Sequence, residues 1–184
     1  MELGLEGKIA LVTGGSRGIG KGIARGLARE GCDVSICSRD EEVLAAAAAE
    51  IAAETGRDIA PFKADLMKTA DADAMVAATM DRFGRIDILV NNAGAAPGGV
   101  LEYLTDEHWE QAIGLKFMGY VRVTRAVMPH MQAAGRGRVV NLIGNDGVKH
   151  SYWEIAPGAA NAAGQNFTIA LAAQYAKDLS LIHI

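Results

Sequence analysis

An open, doubly wound parallel α/β sheet is the architecture that this 184-residue sequence predicts, on three observations. Short apolar runs rich in β-branched residues alternate with segments whose apolar residues recur at helical spacing. The runs are apolar throughout, as strands covered by helices on both faces must be. No internal repeat, low-complexity tail or linker interrupts the alternation, and a chain of this length buries one sizeable core, so a single domain is expected.

The elements follow in order. "KIALVTG" (8–14) is a strand that ends in glycine, and "GIGKGIARGLAREG" (18–31) is a helix with Ile19, Ile23, Leu27 and Ala28 at helical spacing. "CDVSICS" reads as the second strand, and "DEEVLAAAAAEIAAET" as an Ala-rich helix capped by Asp40. "DIAPFKADL" is the third strand, and "DADAMVAATMDRFG" a helix closed by Gly84. "RIDILVNNAG" is a continuous apolar strand, "TDEHWEQAIGLKFMGYVRVTRAVMPHMQAAG" one long helix, and "GRVVNLIG" the fifth strand. The last segment, "PGAANAAGQNFTIALAAQYAKD", is a helix starting at Pro157, which a first turn tolerates. Right-handed crossovers give five strands in the order 3-2-1-4-5.

Composition removes several function classes. A net charge of -4, with Lys and Arg scattered along the chain, leaves no electrostatic footprint for nucleic acid. The opening "MELGLEGKIALVTGG" meets glycines and charges too soon for a signal peptide or membrane span, so a cytoplasmic protein is expected. Cys32 and Cys37 flank one strand without metal-ligand company and read as reduced core packing; no metal site is expected.

The first turn carries the first chemistry. In "TGGSRGIG" (13–20), Gly14, Gly18 and Gly20 allow a sharp turn, close approach to a pyrophosphate and tight helix packing, while free N–H groups at the helix start face the phosphates. Glycines serving packing alone are the alternative. The position of the turn between strand and helix in the first βα unit favours a Rossmann dinucleotide site.

These motifs carry a family resemblance. "TGGSRGIG", the pair Asp65-Leu66 after the third strand, "NNAG" (91–94) after the fourth and "RAVMPHM" late in the long helix together resemble the short-chain dehydrogenase/reductase family, in order over residues 7–178. The resemblance implies pyrophosphate binding by Gly14, Ser16, Arg17, Gly18, Ile19 and Gly20. It implies an adenine contact at Asp65-Leu66, and a cofactor-lining role for Asn91, Ala93 and Gly94.

Cofactor choice rests on charge. The second strand ends "ICSRD", without the acid that bonds a ribose 2′-OH at the strand end. Ser38 and Arg39 fall where the ribose is expected, and Arg17 projects from the glycine turn, so two guanidiniums can bracket a 2′-phosphate. NADP(H) is the expected cofactor. The alternative makes Asp40 the ribose partner and Arg39 a solvated residue, but Asp40 serves better as a helix cap.

The family reduces carbonyls or oxidises alcohols with a Tyr acid/base, a Lys four residues later, a Ser after the fifth strand and an Asn in the long helix. Aligned on those patterns, this sequence has Lys116 at the Asn, Gly144 at the Ser, Pro157 at the Tyr and Asn161 at the Lys. Two readings follow. In one, an enzyme with a rebuilt site acts on a carbonyl/alcohol pair: Lys116 and Asn161 have exchanged roles, and the loop "NDGVKHSYWE" supplies a proton donor, with Tyr152 first and Asp146 or His150 as substitutes. In the other, the chain is a non-catalytic NADP-binding module, a sensor or oligomer partner, with Tyr152 and Trp153 an aromatic cover. The polar loop beside a cofactor motif favours the enzyme.

Family members pair their long helices, and Gly158, Ala159, Ala162, Ala163 and Gly164 offer a flat small-residue face, so a homodimer or homotetramer is expected. Family members also continue beyond the last helix, so the later strands of the sheet and the substrate-covering segment are expected to be missing. Residues 179–184, "LSLIHI", match the translation of a transposase-end adapter and read as a non-native tail to the Rossmann domain of residues 1–178. On this reading the short chain leaves an apolar sheet edge exposed.

Overall fold

The computed structural model describes residues 3–176 and the backbone of 181–183. The chain alternates β1 (Ile9–Thr13), α1 (Gly18–Arg29), β2 (Asp33–Ser38), α2 (Glu41–Thr55), β3 (Ile59–Lys63), α3 (Thr69–Phe83) and β4 (Ile88–Asn91). It continues with α4 (Asp106–Gln111), α5 (Met118–Ala133), β5 (Arg138–Asn141), α6 (Ile155–Tyr175) and β6 (Leu181–His183). All strand pairings are parallel, in the order β3-β2-β1-β4-β5-β6.

The five expected strands stand in the expected order, and β6 adds one more: Leu181, Ile182 and His183 pair with Arg138, Val139 and Val140. The assignment of 179–184 to a tail therefore falls partly on a paired strand and partly, at 179, 180 and 184, outside the described residues. Residues of β1 and β4 are buried throughout, and those of β2 all but at its two ends, because helices cover both faces. One face carries a core of Leu11, Leu89, Met75, Val123, Val127 and Met131 under α3 and α5. The other packs Val12, Val34, Ile36, Leu44 and Ile51 under α1 and α2.

Local chemistry accounts for the helix ends. Asp40 accepts a hydrogen bond from Val43 N at 3.1 Å as the cap of α2, and Gly56 and Gly84 close α2 and α3 in left-handed conformation. Two helical readings change. α6 begins two residues before Pro157, whose missing N–H lies in the first turn where no intrahelical acceptor is available. The expected single long helix is divided by a π-helical turn at Ala112–Phe117 between α4 and α5.

The small residues of α6 divide as well. A β-carbon on Gly164 would meet Ile143 Cδ1 at 2.7 Å, and one on Gly158 would meet Asp146 O at 3.0 Å, so these glycines admit the chain's own strand end and loop. Ala159, Ala162 and Ile169 face outward. Cys32 and Cys37 are free and buried, and burial pushes both thiols up to about 11.

Candidate active site

A cleft of about 450 Å³ opens at the C-terminal ends of β1, β2 and β4, lined by Gly14, Ser16, Arg17, Ile19, Gly20, Ser38, Arg39 and, across from them, Leu66, Ala93 and Gly94. Its floor is the glycine turn. Gly14 (φ 67°) and Gly18 (φ 54°) are left-handed, and a β-carbon on Gly20 would collide with Gly14 O and Asn92 Nδ2. Arg17 caps α1 without a side-chain bond, and no acidic residue stands in the first turn, so the amide end of α1 is open to an anion.

Thr13 and Asn92 hold this turn to β4. Thr13 Oγ1 accepts from Asn92 N at 2.9 Å and Ala93 N at 3.0 Å, and Asn92 Nδ2 donates to Thr13 O at 2.9 Å and Gly14 O at 3.3 Å. Asn91 points the other way. Its side chain is fully buried, and Nδ2 donates to Thr124 Oγ1 at 3.0 Å and Asn141 Oδ1 at 2.8 Å, while Asn141 Nδ2 reaches Thr168 Oγ1 at 2.8 Å. Asn91 thus ties β4, β5, α5 and α6 together behind the cleft.

The cationic end differs from the sequence reading. Arg17 NH2 contacts Asp40 Oδ2 at 3.0 Å, both side chains more than half exposed, so the cap of α2 already engages one of the two guanidiniums. Arg39 lines the cleft and also an adjoining depression with Lys63, Lys68, Asp65 and Asp71. Asp65 shapes the loop there, its Oδ1 accepting from Met67 N at 3.2 Å.

At the opposite end the π-turn presents Lys116. Its chain lies along Gly94: a β-carbon on Gly94 would meet Lys116 Cδ at 3.1 Å and Nζ at 3.4 Å. Nζ also sits 5.9 Å from the centroid of the Tyr120 ring. Burial lowers the Lys116 pKa, and the Asp146 carboxylate partly restores it. Asn161, buried on α6, donates Nδ2 to both oxygens of Asp146 at 3.0 Å and accepts from Gly144 N at 2.8 Å. Tyr120, also buried, donates to Leu142 O at 2.9 Å, and burial raises its pKa.

A family model for short chain dehydrogenases matches residues 8–183. The chain belongs to this family. An acetoacetyl-CoA reductase of Allochromatium vinosum is 37% identical over 166 residues, covering 90% of this chain and 68% of that protein. A (2S)-[(R)-hydroxy(phenyl)methyl]succinyl-CoA dehydrogenase subunit of Thauera aromatica is 39% identical over 140 residues, covering 76% of this chain and 56% of the relative. The chain thus spans between about half and two thirds of these relatives. Among solved structures, the L-sorbose reductase of Gluconobacter frateurii complexed with NADPH and L-sorbose superposes with a TM-score of 0.94 at 32% identity, over 97% of this chain and 68% of that one. A metagenomic short-chain oxidoreductase in complex with NADP gives 0.91 at 31% identity, over 97% and 80%.

Within this short-chain dehydrogenase fold, Lys116 lies against Gly94 of the cleft wall, Asp146, Asn161 and Gly144 form one hydrogen-bonded set whose carboxylate acts on Lys116, and Tyr152 belongs to neither. Tyr152 is 67% exposed, its ring 5.2 Å from that of Trp153, and His150 is exposed too. The short helical turn Asn145–Gly147 directs the Asp146 carboxylate toward Asn161 on α6, and Asp146 also lines a separate depression with His150 and Glu154. Among the described residues, no group of three or more His, Cys, Asp and Glu could hold a metal, and no helix is long and apolar enough to cross a membrane. Sequence reasoning missed Thr13, Asn92 and the π-turn. A Thr before the glycine turn and a second Asn after β4 were visible signals, but their hydrogen bonds cross 79 residues.

Proposed function

We propose that this chain is the NADP(H)-binding part of an oxidoreductase that interconverts a carbonyl and an alcohol through a divergent active site. The observation that carries the reading is Lys116, held against Gly94 where the cleft wall ends, with Asp146 and Asn161 behind it.

The residues present fit the cofactor. The uncapped start of α1 and the left-handed Gly14 and Gly18 suit a pyrophosphate beside Ser16, Arg17, Ile19 and Gly20. Arg39, beside Ser38 and with Lys63 and Lys68 near, suits a 2′-phosphate, while Asp65 and Leu66 bound the adenine end and Ala93 and Gly94 the reacting end. Asn91 supports that wall from within the core. The cofactor, when bound, supplies or accepts hydride.

The protein's own share is the proton. In carbonyl reduction, the Lys116 ammonium polarises the substrate oxygen and then gives it a proton; in alcohol oxidation, the neutral amine takes one back. Burial makes the ammonium a stronger acid than a solvated lysine, bringing its pKa closer to the operating pH. Asp146 keeps the charged form accessible, and Asn161 fixes the carboxylate from behind. Lys116 thus stands at the family's Asn position and Asn161 at its Lys position, with Gly144 and Pro157 at the Ser and Tyr positions, and the proton carried by the family's Tyr falls here to Lys116. Tyr152, exposed on Trp153, becomes a residue of the loop surface.

The test is NADPH oxidation by the protein against a panel of ketones and β-ketoacyl thioesters, with Lys116→Ala beside it. Turnover lost with Lys116 and retained in Tyr152→Phe supports the assignment. Tight NADPH binding without turnover on any carbonyl would favour a binding module instead.

A further inference from the structure

A π-turn inserts one residue into a helix and leaves backbone groups outside the regular ladder. Here the turn at Ala112–Phe117 carries both Lys116 and Leu115, the latter lining the cleft. One side chain reaches back into it. Arg122, partly buried on α5, donates NH1 to Gly114 O at 2.8 Å and to Leu66 O at 3.0 Å. Leu66 is itself in the cleft wall.

Close packing reinforces this bridge. A β-carbon on Gly114 would come 3.0 Å from Met67 Cε, and one on Gly119 would meet Leu66 Cβ at 3.5 Å and Leu66 O at 3.7 Å. The π-turn, the start of α5 and the loop after β3 therefore touch at glycines, with one guanidinium tying two carbonyls across the seam. Below the seam α5 is anchored by buried Tyr120, Val123 and Val127, so it cannot turn freely.

We infer that Arg122 is a positioning residue that keeps the π-turn open and thereby fixes Lys116 against the cleft, coupling the cofactor wall at Leu66 to the proton-bearing end. The inference rests on the proposed role of Lys116 only for its catalytic consequence; the placement of Lys116 can be read without turnover. Without the guanidinium, two partly buried carbonyls lose a charged donor, and the turn relaxes toward α-helical register. Removing one residue's worth of winding rotates the preceding segment by about 100° relative to α5. Lys116 then leaves Gly94.

The experiment compares Arg122→Met, which keeps the arm and removes the donors, with Arg122→Lys, which keeps a charge and restores part of the donor set. The first readout is the rate of acylation of Lys116 Nζ by an amine-selective reagent, measured by peptide mapping in the folded protein. The second is the dissociation constant for NADPH by fluorescence titration. The expected result is about tenfold faster labelling of Lys116 in Arg122→Met, weaker NADPH binding and turnover down by about 100-fold, with Arg122→Lys intermediate in all three. A folded Arg122→Met with Lys116 labelling and NADPH affinity unchanged overturns the inference. If Arg122→Met does not fold, labelling in Arg122→Lys decides it, and a wild-type rate there overturns it. If Lys116→Ala keeps full turnover while Arg122→Met still exposes Lys116, the catalytic reading fails and the positioning role stands.

Discussion

Gly144 and Asn161 exclude any larger residue from the space they share. The Gly144 amide donates to Asn161 Oδ1 at 2.8 Å, and a β-carbon on Gly144 would lie 2.6 Å from Asn161 Nδ2 and collide with Asp146 Oδ1. The three residues are an interlocked set: no side chain at 144 fits while Asn161 holds Asp146.

Gly144→Ser is therefore expected to cost about 1–3 kcal/mol through overpacking. Adding Asn161→Ala opens the space, so the double variant should be less damaged than the sum of the two single changes. Urea unfolding of the four proteins measures this coupling, and strict additivity would argue against the interlock.

For Lys116, activity and stability move in opposite directions. Lys116→Met should reduce carbonyl turnover by at least about 100-fold, the span of one general acid. Wild-type reduction should fall as pH rises through the lowered Lys116 pKa, because the ammonium is the working form. The stability sign follows from the same shift. Below the folded value both states are protonated, and the fold carries the cost of burying an ammonium. Between the folded and unfolded values the native state releases its proton first, so stability rises with pH. Lys116→Met should accordingly unfold at higher temperature than wild type near neutrality, with the gap closing as pH approaches the unfolded lysine value of about 10.4. Thermal melts across that range check it.

Arg39→Asp should reverse the preference for NADPH over NADH, since a carboxylate there repels a 2′-phosphate and accepts from a 2′-OH. Arg17→Ala should have the smaller effect, because Arg17 is shared with Asp40. Losing one charged hydrogen bond corresponds to about tenfold or more in affinity. Titrations with both cofactors provide the measurement.

The two adjacent asparagines should separate cleanly. Asn91→Ala removes the donor to buried Asn141 and is expected to destabilise the fold by about 1–3 kcal/mol with little change in NADPH affinity. Asn92→Ala frees the glycine turn from β4 and should weaken NADPH binding more than it lowers stability. Equal effects of both on affinity would contradict this division.

Self-association is expected through the outward face of α6, where Ile169 is 63% exposed beside Ala159 and Ala162. Ile169→Glu should shift sedimentation toward monomer without altering the melting temperature of the monomer. A wild-type chain that sediments as monomer at high concentration would rule this out.

The sequence by itself determined the layered sheet, its strand order and the glycine cradle. Each depends on short-range signals: apolar runs in β1, β2 and β4, the left-handed Gly14 and Gly18, and the Asp40 cap are set by residues within a few positions of one another. Tertiary structure alone decided which candidate side chains meet. Arg17 and Arg39 were indistinguishable as phosphate partners until the fold gave Arg17 to Asp40, 23 residues away. Asn91 and Asn92 are neighbours in sequence, yet the pleat of β4 sends one side chain into the core and leaves the other at the glycine turn. Tyr152 and Asp146 share one polar loop, and a single helical turn separates them. The π-turn that aims Lys116 has no local signature in "AIGLKF", because what holds it open is a guanidinium two turns along the helix and a carbonyl 56 residues away.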